Sequence, residues 1–236
     1  MSSYFVTGTG TDIGKTVVTS LLVDFFNEDD ASYFPYKPIQ TGAIEHEGNL
    51  LAPDPEVYKK AMKGSIEDRF YTYLLKTASS PHLAAKEEDV TFDLANIHHD
   101  LQRLQEKYTG VIVEGAGGLY VPITEDGYCM IDFMKELNFP VILVGEAGLG
   151  TINHTVLSIK ALEACDIPIA GIILNGTKQE NELLEKDNIK MIEQLTNTSV
   201  MGTVPYVPNI EEMLGNKTGR KKLTANWKKT YDEIYK

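Results

Sequence analysis

Lys15, Thr16, Lys37, Asp54 and Glu114 are the side chains of this sequence whose types and settings suit phosphate chemistry. Lys15 and Thr16 close the segment VTGTGTDIGKT, residues 6–16, in which Gly8, Gly10 and Gly14 lie between an apolar run and a helical pattern. There an ammonium at Lys15 meets β and γ phosphates, a hydroxyl at Thr16 meets Mg²⁺, and backbone N–H groups at a helix start cradle the anion. Lys37 and Thr41 stand in YKPIQTG, at the end of a second apolar run. A lysine at a strand end is ordinarily a solvated charge, but one aimed into a triphosphate pocket stabilises a transferring phosphoryl group or an anionic acceptor. Glu114 is delivered by Val111, Ile112 and Val113 and followed by Gly115, Ala116 and Gly117, so the chain can pass close to a ligand. That is the setting of a Mg²⁺ carboxylate at the end of a buried strand. Asp54, in APDP, reads from its neighbours as a helix cap, with a metal-facing carboxylate as the alternative.

The three glycines admit two nucleotide readings. A dinucleotide fingerprint needs G-x-G-x-x-G, and here the third glycine comes one residue late. A short-chain dehydrogenase needs a further glycine where Asp12 stands and a Tyr-x-x-x-Lys pair well into the chain, whereas the pair found here, Tyr33 and Lys37, comes too early. A phosphate loop needs G-x-x-x-x-G-K-[ST]; Gly14, Lys15 and Thr16 supply its chemical end, although five residues rather than four separate Gly8 from Gly14. Strand, loop and helix in that order are what the mechanism requires, and they favour a lengthened phosphate loop. Asn175, followed by Gly176, ends a fifth apolar run, and GTVPYVP at 202–208 ends a sixth; both suit an adenine pocket.

These side chains need a sheet to gather them. Short Val- and Ile-rich runs at 4–7, 33–37, 111–114, 141–144, 170–174 and 200–204 alternate with helical patterns. The alternation predicts an α/β fold, a mostly parallel sheet flanked by helices on both faces. Val18, Leu21, Leu22 and Phe25 form one apolar stripe after the first run, and Ile152, Val156 and Ile159 repeat the spacing after the fourth. Residues 42–100 show no strand; helical segments such as 55–62 and 94–108 are expected there, with loops, above the carboxyl edge where open α/β sheets bind ligands. The basic cluster GRKK at 219–222 reads as a solvated turn.

Composition narrows the partners. The 236 residues suit one domain, 1–236, and 22 Lys+Arg against 34 Asp+Glu give a net charge of −12. Such a field repels nucleic acid and anionic membranes. Cys129 and Cys165 are far apart and lack metal-ligand neighbours, which suits a reducing cytoplasm. No apolar run approaches the roughly 20 residues that span a bilayer, no basic-headed signal precedes the first strand, and no His, Asp or Glu grouping has zinc spacing.

Taken together, TGTGTDIGKT, YKPIQTG, EGAGG, Asn175 and VPYVP, in that order, make the chain resemble dethiobiotin synthetases. The resemblance runs from Val6 to about Pro208. It implies a P-loop NTPase fold, a homodimer, ATP with Mg²⁺, and 7,8-diaminononanoate with CO₂ as substrates. It assigns Asp12, Ile13, Gly14, Lys15, Thr16 and Val17 to the nucleotide, along with Gly115, Ala116 and Gly117. Asn175, Gly176, Pro205, Tyr206 and Val207 match the adenine site. Thr16, Asp54 and Glu114 match the metal positions, which moves Asp54 from cap toward ligand. Lys37 and Lys15 match the catalytic lysines. Thr11, Lys37, Thr41 and Asn153 match substrate contacts, Asn153 from the segment GLGTINH at 148–154 that a partner subunit lends. One departure stands out, because the family usually carries T-D-T in the loop and this chain has Gly10 in place of the aspartate. A rival of another class is a regulatory ATPase of the partitioning or septum-positioning type, which carries a second lysine in the loop where this chain has Gly10, Thr11 and Asp12. A cobyrinate-type amide synthase would need a glutaminase domain that this length does not house.

Overall fold

The computed structural model describes residues 3–27, 31–62, 66–178 and 182–227. Six parallel strands form the central sheet: β1 (Tyr4–Gly8), β2 (Tyr33–Tyr36), and, after four short strands, β7 (Gly110–Glu114), β8 (Val141–Glu146), β9 (Ile169–Thr177) and β10 (Val200–Pro205). They lie in the order β10-β9-β8-β1-β7-β2, all parallel. Every expected strand is present to within a few residues. Parallel pairing puts all six carboxyl ends on one edge, so Gly8, Glu114 and Asn175 finish near one another although distant in sequence.

Strand periodicity distributes the core. Tyr4 and Val6 of β1 pack with Val18, Leu21 and Leu22 of α1 (Lys15–Phe26) on one face, while Phe5 packs with Phe133 of α5 (Met130–Leu137) on the other. The second face is also covered by α4 (Leu94–Lys107), which buries Ile97, Leu101 and Leu104 and is capped by Asp93, accepting from the Ala95 N–H at 2.9 Å. α6 (Thr151–Ala164) and α7 (Glu182–Thr196) extend this cover over β8 and β9 through Ile159 and Ile192. Helices on both faces follow because the strand interiors are apolar in consecutive residues.

The 42–100 excursion corrects the sequence reading in three places. β4 (Ile44–His46) pairs with β5 (Asn49–Leu51) as an antiparallel hairpin, and β3 (Ile39–Gln40) pairs in parallel with β6 (Tyr73–Leu74). Its helices are α2 (Pro53–Ala61), starting two residues earlier than expected, and α3 (Pro81–Glu87). The backbone of this excursion also fastens the site, since the Lys37 N–H donates to the Phe70 carbonyl at 2.7 Å. Nor is GRKK a solvated turn. It lies in α9 (Lys217–Leu223), which follows α8 (Ile210–Gly215), and Arg220 is buried, donating to the Leu214 carbonyl at 2.7 Å and facing Asp24 at 3.0 Å.

Candidate active site

The loop from Thr9 to Gly14 wraps the Lys15 side chain, whose Nζ donates to the Gly10 carbonyl at 2.7 Å. Gly14 caps α1 at φ 89°, and a Cβ there would lie 2.0 Å from Asn175 Nδ2. Only glycine accommodates both the left-handed backbone and the neighbouring amide. Asn175 Nδ2 donates to the Ile13 carbonyl at 2.9 Å, tying the loop to the end of β9. Asp12 also takes a left-handed φ of 58°, the conformation that fits the extra loop residue. The EGAGG turn runs alongside, because a Cβ on Gly118 would come within 3.4 Å of the Gly8 carbonyl and one on Gly117 within 3.6 Å of Thr11 Oγ1.

Lys37 does not reach this loop from an adjacent strand. β7 lies between β1 and β2, so the second strand delivers Lys37 from one strand further along the edge. Glu114 at the end of β7 bridges the gap. Its Oε1 accepts from Lys37 Nζ at 3.0 Å and from Thr16 Oγ1 at 2.9 Å. The Lys37 ammonium also pairs with Asp54, which projects from α2, and Thr16 Oγ1 lies 3.0 Å from Asp54 Oδ1. Glu114 Oε2 accepts from the Tyr58 hydroxyl at 2.7 Å. Asp54 therefore sits in the first turn of α2 and faces the site, without capping the helix by a side-chain bond.

Burial alone would lower the Lys37 pKa, but Glu114 and Asp54 outweigh it and hold it above the usual lysine value. Burial lowers the Lys15 pKa, with the attraction of Glu114 opposing and the repulsion of Lys37 assisting. Burial and the two carboxylates push the Tyr58 phenol well above its usual value, so it remains a donor. Thr16 Oγ1 carries a single proton against two carboxylate oxygens at hydrogen-bond distance, an oxygen-rich arrangement that a hard cation satisfies better than the hydroxyl proton does. Among the described residues no group of three or more His, Cys, Asp or Glu side chains converges; the oxygen set here is two carboxylates and a hydroxyl.

A cleft of about 710 Å³ is lined by Thr11, Asp12, Gly14, Lys15, Thr16, Lys37, Thr41, Asp54, Glu114, Ala116 and Gly117. A second hollow of about 550 Å³ on the far side of Asp12 contains Ile13, Asn175, Gly176 and Tyr206. The remaining sequence candidates stand outside both. Val17 and Val207 lean on the core beneath α1, Gly115 lies behind Glu114, Pro205 ends β10, and Asn153 is exposed in the first turn of α6. The sequence reading missed Tyr58 and the cleft residues Ser79, Ser80 and Pro81. The i, i+4 spacing of Asp54 and Tyr58 was the available signal for the first, and Ser-Pro at a helix start for the others.

The family model described as AAA domain matches residues 2–213. ATP-dependent dethiobiotin synthetase of Halalkalibacterium halodurans is 47% identical over 96% of this chain and 94% of its own. The enzyme of the same name from Anoxybacillus flavithermus is 43% identical over 89% and 94%. Among solved structures, a ParA family ATPase from Chlorobium tepidum superposes with TM-score 0.53 at 14% identity, covering 95% of this chain and 94% of that one. The MinD cell division protein of Aquifex aeolicus gives 0.51 at 13%, covering 91% and 86%. These two likenesses establish the P-loop NTPase fold and nothing finer. With identity of this extent along nearly its whole length, the chain belongs to the ATP-dependent dethiobiotin synthetase family.

Proposed function

We propose that this chain carboxylates 7,8-diaminononanoate with CO₂ and closes the ureido ring of dethiobiotin, consuming ATP in biotin biosynthesis. The observation that carries the reading is the convergence of Lys15, Thr16, Lys37, Asp54 and Glu114 on one cleft in a chain of this family. One amine of the substrate attacks CO₂ and sheds a proton, giving a carbamate. A carbamate oxygen takes the γ-phosphoryl group, ADP departs, and a carbamic-phosphoric anhydride remains. The neighbouring amine attacks its carbonyl carbon and sheds a proton, the C–O bond to phosphate breaks, inorganic phosphate departs, and the ring closes. Lys15 and Lys37 offset the negative charge carried through these steps, and the walls of the cleft hold the reacting atoms together. No covalent nucleophile is required.

The donor set fits Mg²⁺: the carboxylates of Asp54 and Glu114 already flank one cation, the Lys37 ammonium, and both also meet the Thr16 hydroxyl. Thr16, Asp54 and Glu114 would hold the metal, which when bound neutralises charge on the β and γ phosphates. Gly14 and the loop backbone receive the phosphates. Asn175 commits Nδ2 to the loop, leaving Oδ1 to accept from the adenine amino group, with Gly176 and Tyr206 beside the base in the same hollow and Pro205 and Val207 flanking Tyr206 in the chain. Thr11 and Thr41 contact the diamine from the cleft wall.

The whole chain acts as one catalytic domain, a reading supported by a single sheet that supplies the site from β1 to β9. It works as a homodimer in which Asn153 of a second copy reaches the substrate carboxylate; exposed Leu149 and Asn153 at the start of α6 support this. No described helix is long and apolar enough to cross a membrane. A cytoplasmic location without nucleic-acid or membrane partners agrees with the charge of −12.

The test is whether ADP release requires diaminononanoate and bicarbonate together, with labelled carbon appearing in dethiobiotin. Lys37→Ala is expected to lower turnover about a thousandfold while ATP still binds. Stimulation of ADP release by DNA or lipid instead, or near-normal turnover in Lys37→Ala, would remove the assignment.

A further inference from the structure

Glu114 is the hinge of the site, and its two oxygens are used unequally. Oε1 faces Thr16 and Lys37, whereas Oε2 points away from the cleft and accepts from Tyr58 at 2.7 Å. Tyr58 is fully buried and has no surface of its own on the cleft. Its ring lies 6.1 Å from that of Phe70, and its hydroxyl enters the interior to reach the carboxylate. It also sits four residues after Asp54 on α2, so the same helix face presents both side chains to the end of β7. α2 is held against α1 nearby, where Ser20 Oγ donates to the Val57 carbonyl at 3.3 Å.

A carboxylate with one oxygen held cannot rotate about its terminal bond without breaking a buried hydrogen bond. We infer that Tyr58 is a positioning residue: by holding Oε2 of Glu114 it keeps Oε1 turned to the cation position and sets the distance between the carboxylates of Asp54 and Glu114. The inference rests on the reading above that these carboxylates hold Mg²⁺. Partners of metal ligands commonly alter affinity by 10- to 100-fold when removed, because they fix the orientation of the ligand. Phenylalanine retains the ring contacts and deletes only the hydroxyl.

The probe is Mn²⁺ binding to the full-length protein with ADP present, followed by electron paramagnetic resonance, beside the Mg²⁺ dependence of turnover. Tyr58→Phe is expected to weaken Mn²⁺ about tenfold and to raise the Mg²⁺ concentration for half-maximal rate similarly. Excess Mg²⁺ should restore most of kcat, and ADP affinity measured in a chelator should stay unchanged. A merely structural tyrosine would lower the melting temperature without moving the metal titration, and that result overturns the inference. Glu114→Gln separates the two readings. If it loses Mn²⁺ while Tyr58→Phe does not, the tyrosine assignment alone fails; if neither variant loses Mn²⁺, the metal role of Glu114 fails and the tyrosine assignment with it. Should Tyr58→Phe not fold, the double variant with Glu114→Gln relieves the buried unpaired charge. It should bind Mn²⁺ as Glu114→Gln alone does, and any further loss shows that Tyr58 acts elsewhere.

Discussion

At the scale of single residues, the site balances the ammonium groups of Lys15 and Lys37 against the carboxylates of Asp54 and Glu114, and the sequence offered all four as candidates. What sequence left open was Asp54, whose neighbours suit a cap; the side chain instead faces Lys37 and Thr16, an arrangement fixed by how α2 lies on α1. Gly10 stands where the resemblance implied an aspartate in the loop. A Cβ there would meet nothing nearer than Ile13 Cγ2 at 3.8 Å, so the loop does not demand glycine for space. Gly10→Asp should therefore fold normally, with stability within about 0.5 kcal/mol of the parent by urea denaturation. Its carboxylate would compete with phosphate for Lys15, which already contacts the Gly10 carbonyl. A solvent-attenuated unit repulsion is worth about 1 kcal/mol, so the KM for ATP should rise a few-fold while kcat holds. An unchanged KM would place the new side chain away from the phosphates.

At the scale of elements, the six sheet strands were legible because each is a buried apolar run, and a parallel sheet covered on both faces demands such runs. The hairpin of β4 and β5 was not, since its residues are largely exposed and carry no apolar alternation to read. The two-residue strands β3 and β6 are too short for a pattern. These pieces matter because the excursion carries Asp54 and Tyr58 and because Phe70 holds the backbone of Lys37. Asp68 fastens the same stretch to α4, pairing with Arg103, with Lys107 at 2.7 Å and with the Tyr108 hydroxyl at 2.8 Å. Burial opposes ionisation of this carboxyl, but those three donors outweigh it and lower its pKa to about 2. On acidification the unfolded chain, with an ordinary carboxyl near 3.9, takes up the proton first. The stabilisation is thus complete above about pH 5, fades between roughly 4 and 2, and is gone below. Asp68→Asn should cost about 1 kcal/mol at neutral pH, discounted because Arg103 and Lys107 are half exposed, with the difference from the parent vanishing by about pH 2. Urea denaturation across that range checks it; a pH-independent difference would mean packing, not charge, is lost.

At the scale of the whole molecule, strand order was the feature that sequence could not supply, because pairing between distant strands leaves no local trace. Placing β7 between β1 and β2 makes Glu114 the link that joins Lys37 to the phosphate loop, so the site depends on the order of the sheet as much as on its residues. The same edge explains the second hollow, where the end of β9 supplies Asn175 beside the loop. Asn153 alone among the proposed substrate contacts does not line its own cleft; it is exposed in the first turn of α6, beside Leu149, which is 92% exposed. A site completed from a second copy, as proposed above, would reconcile these positions. In a two-fold dimer each cleft would then need Lys37 from one chain and Asn153 from the other. Lys37→Ala and Asn153→Arg should each be nearly inactive alone. After unfolding and refolding an equal mixture, half of the dimers combine the two variants, and each of these holds one cleft free of both substitutions. Activity should recover to roughly a quarter of the parent, and refolding either variant by itself should recover none. If Asn153 instead served the cleft of its own chain, the mixed dimers would carry a damaged site on both sides and mixing would restore nothing.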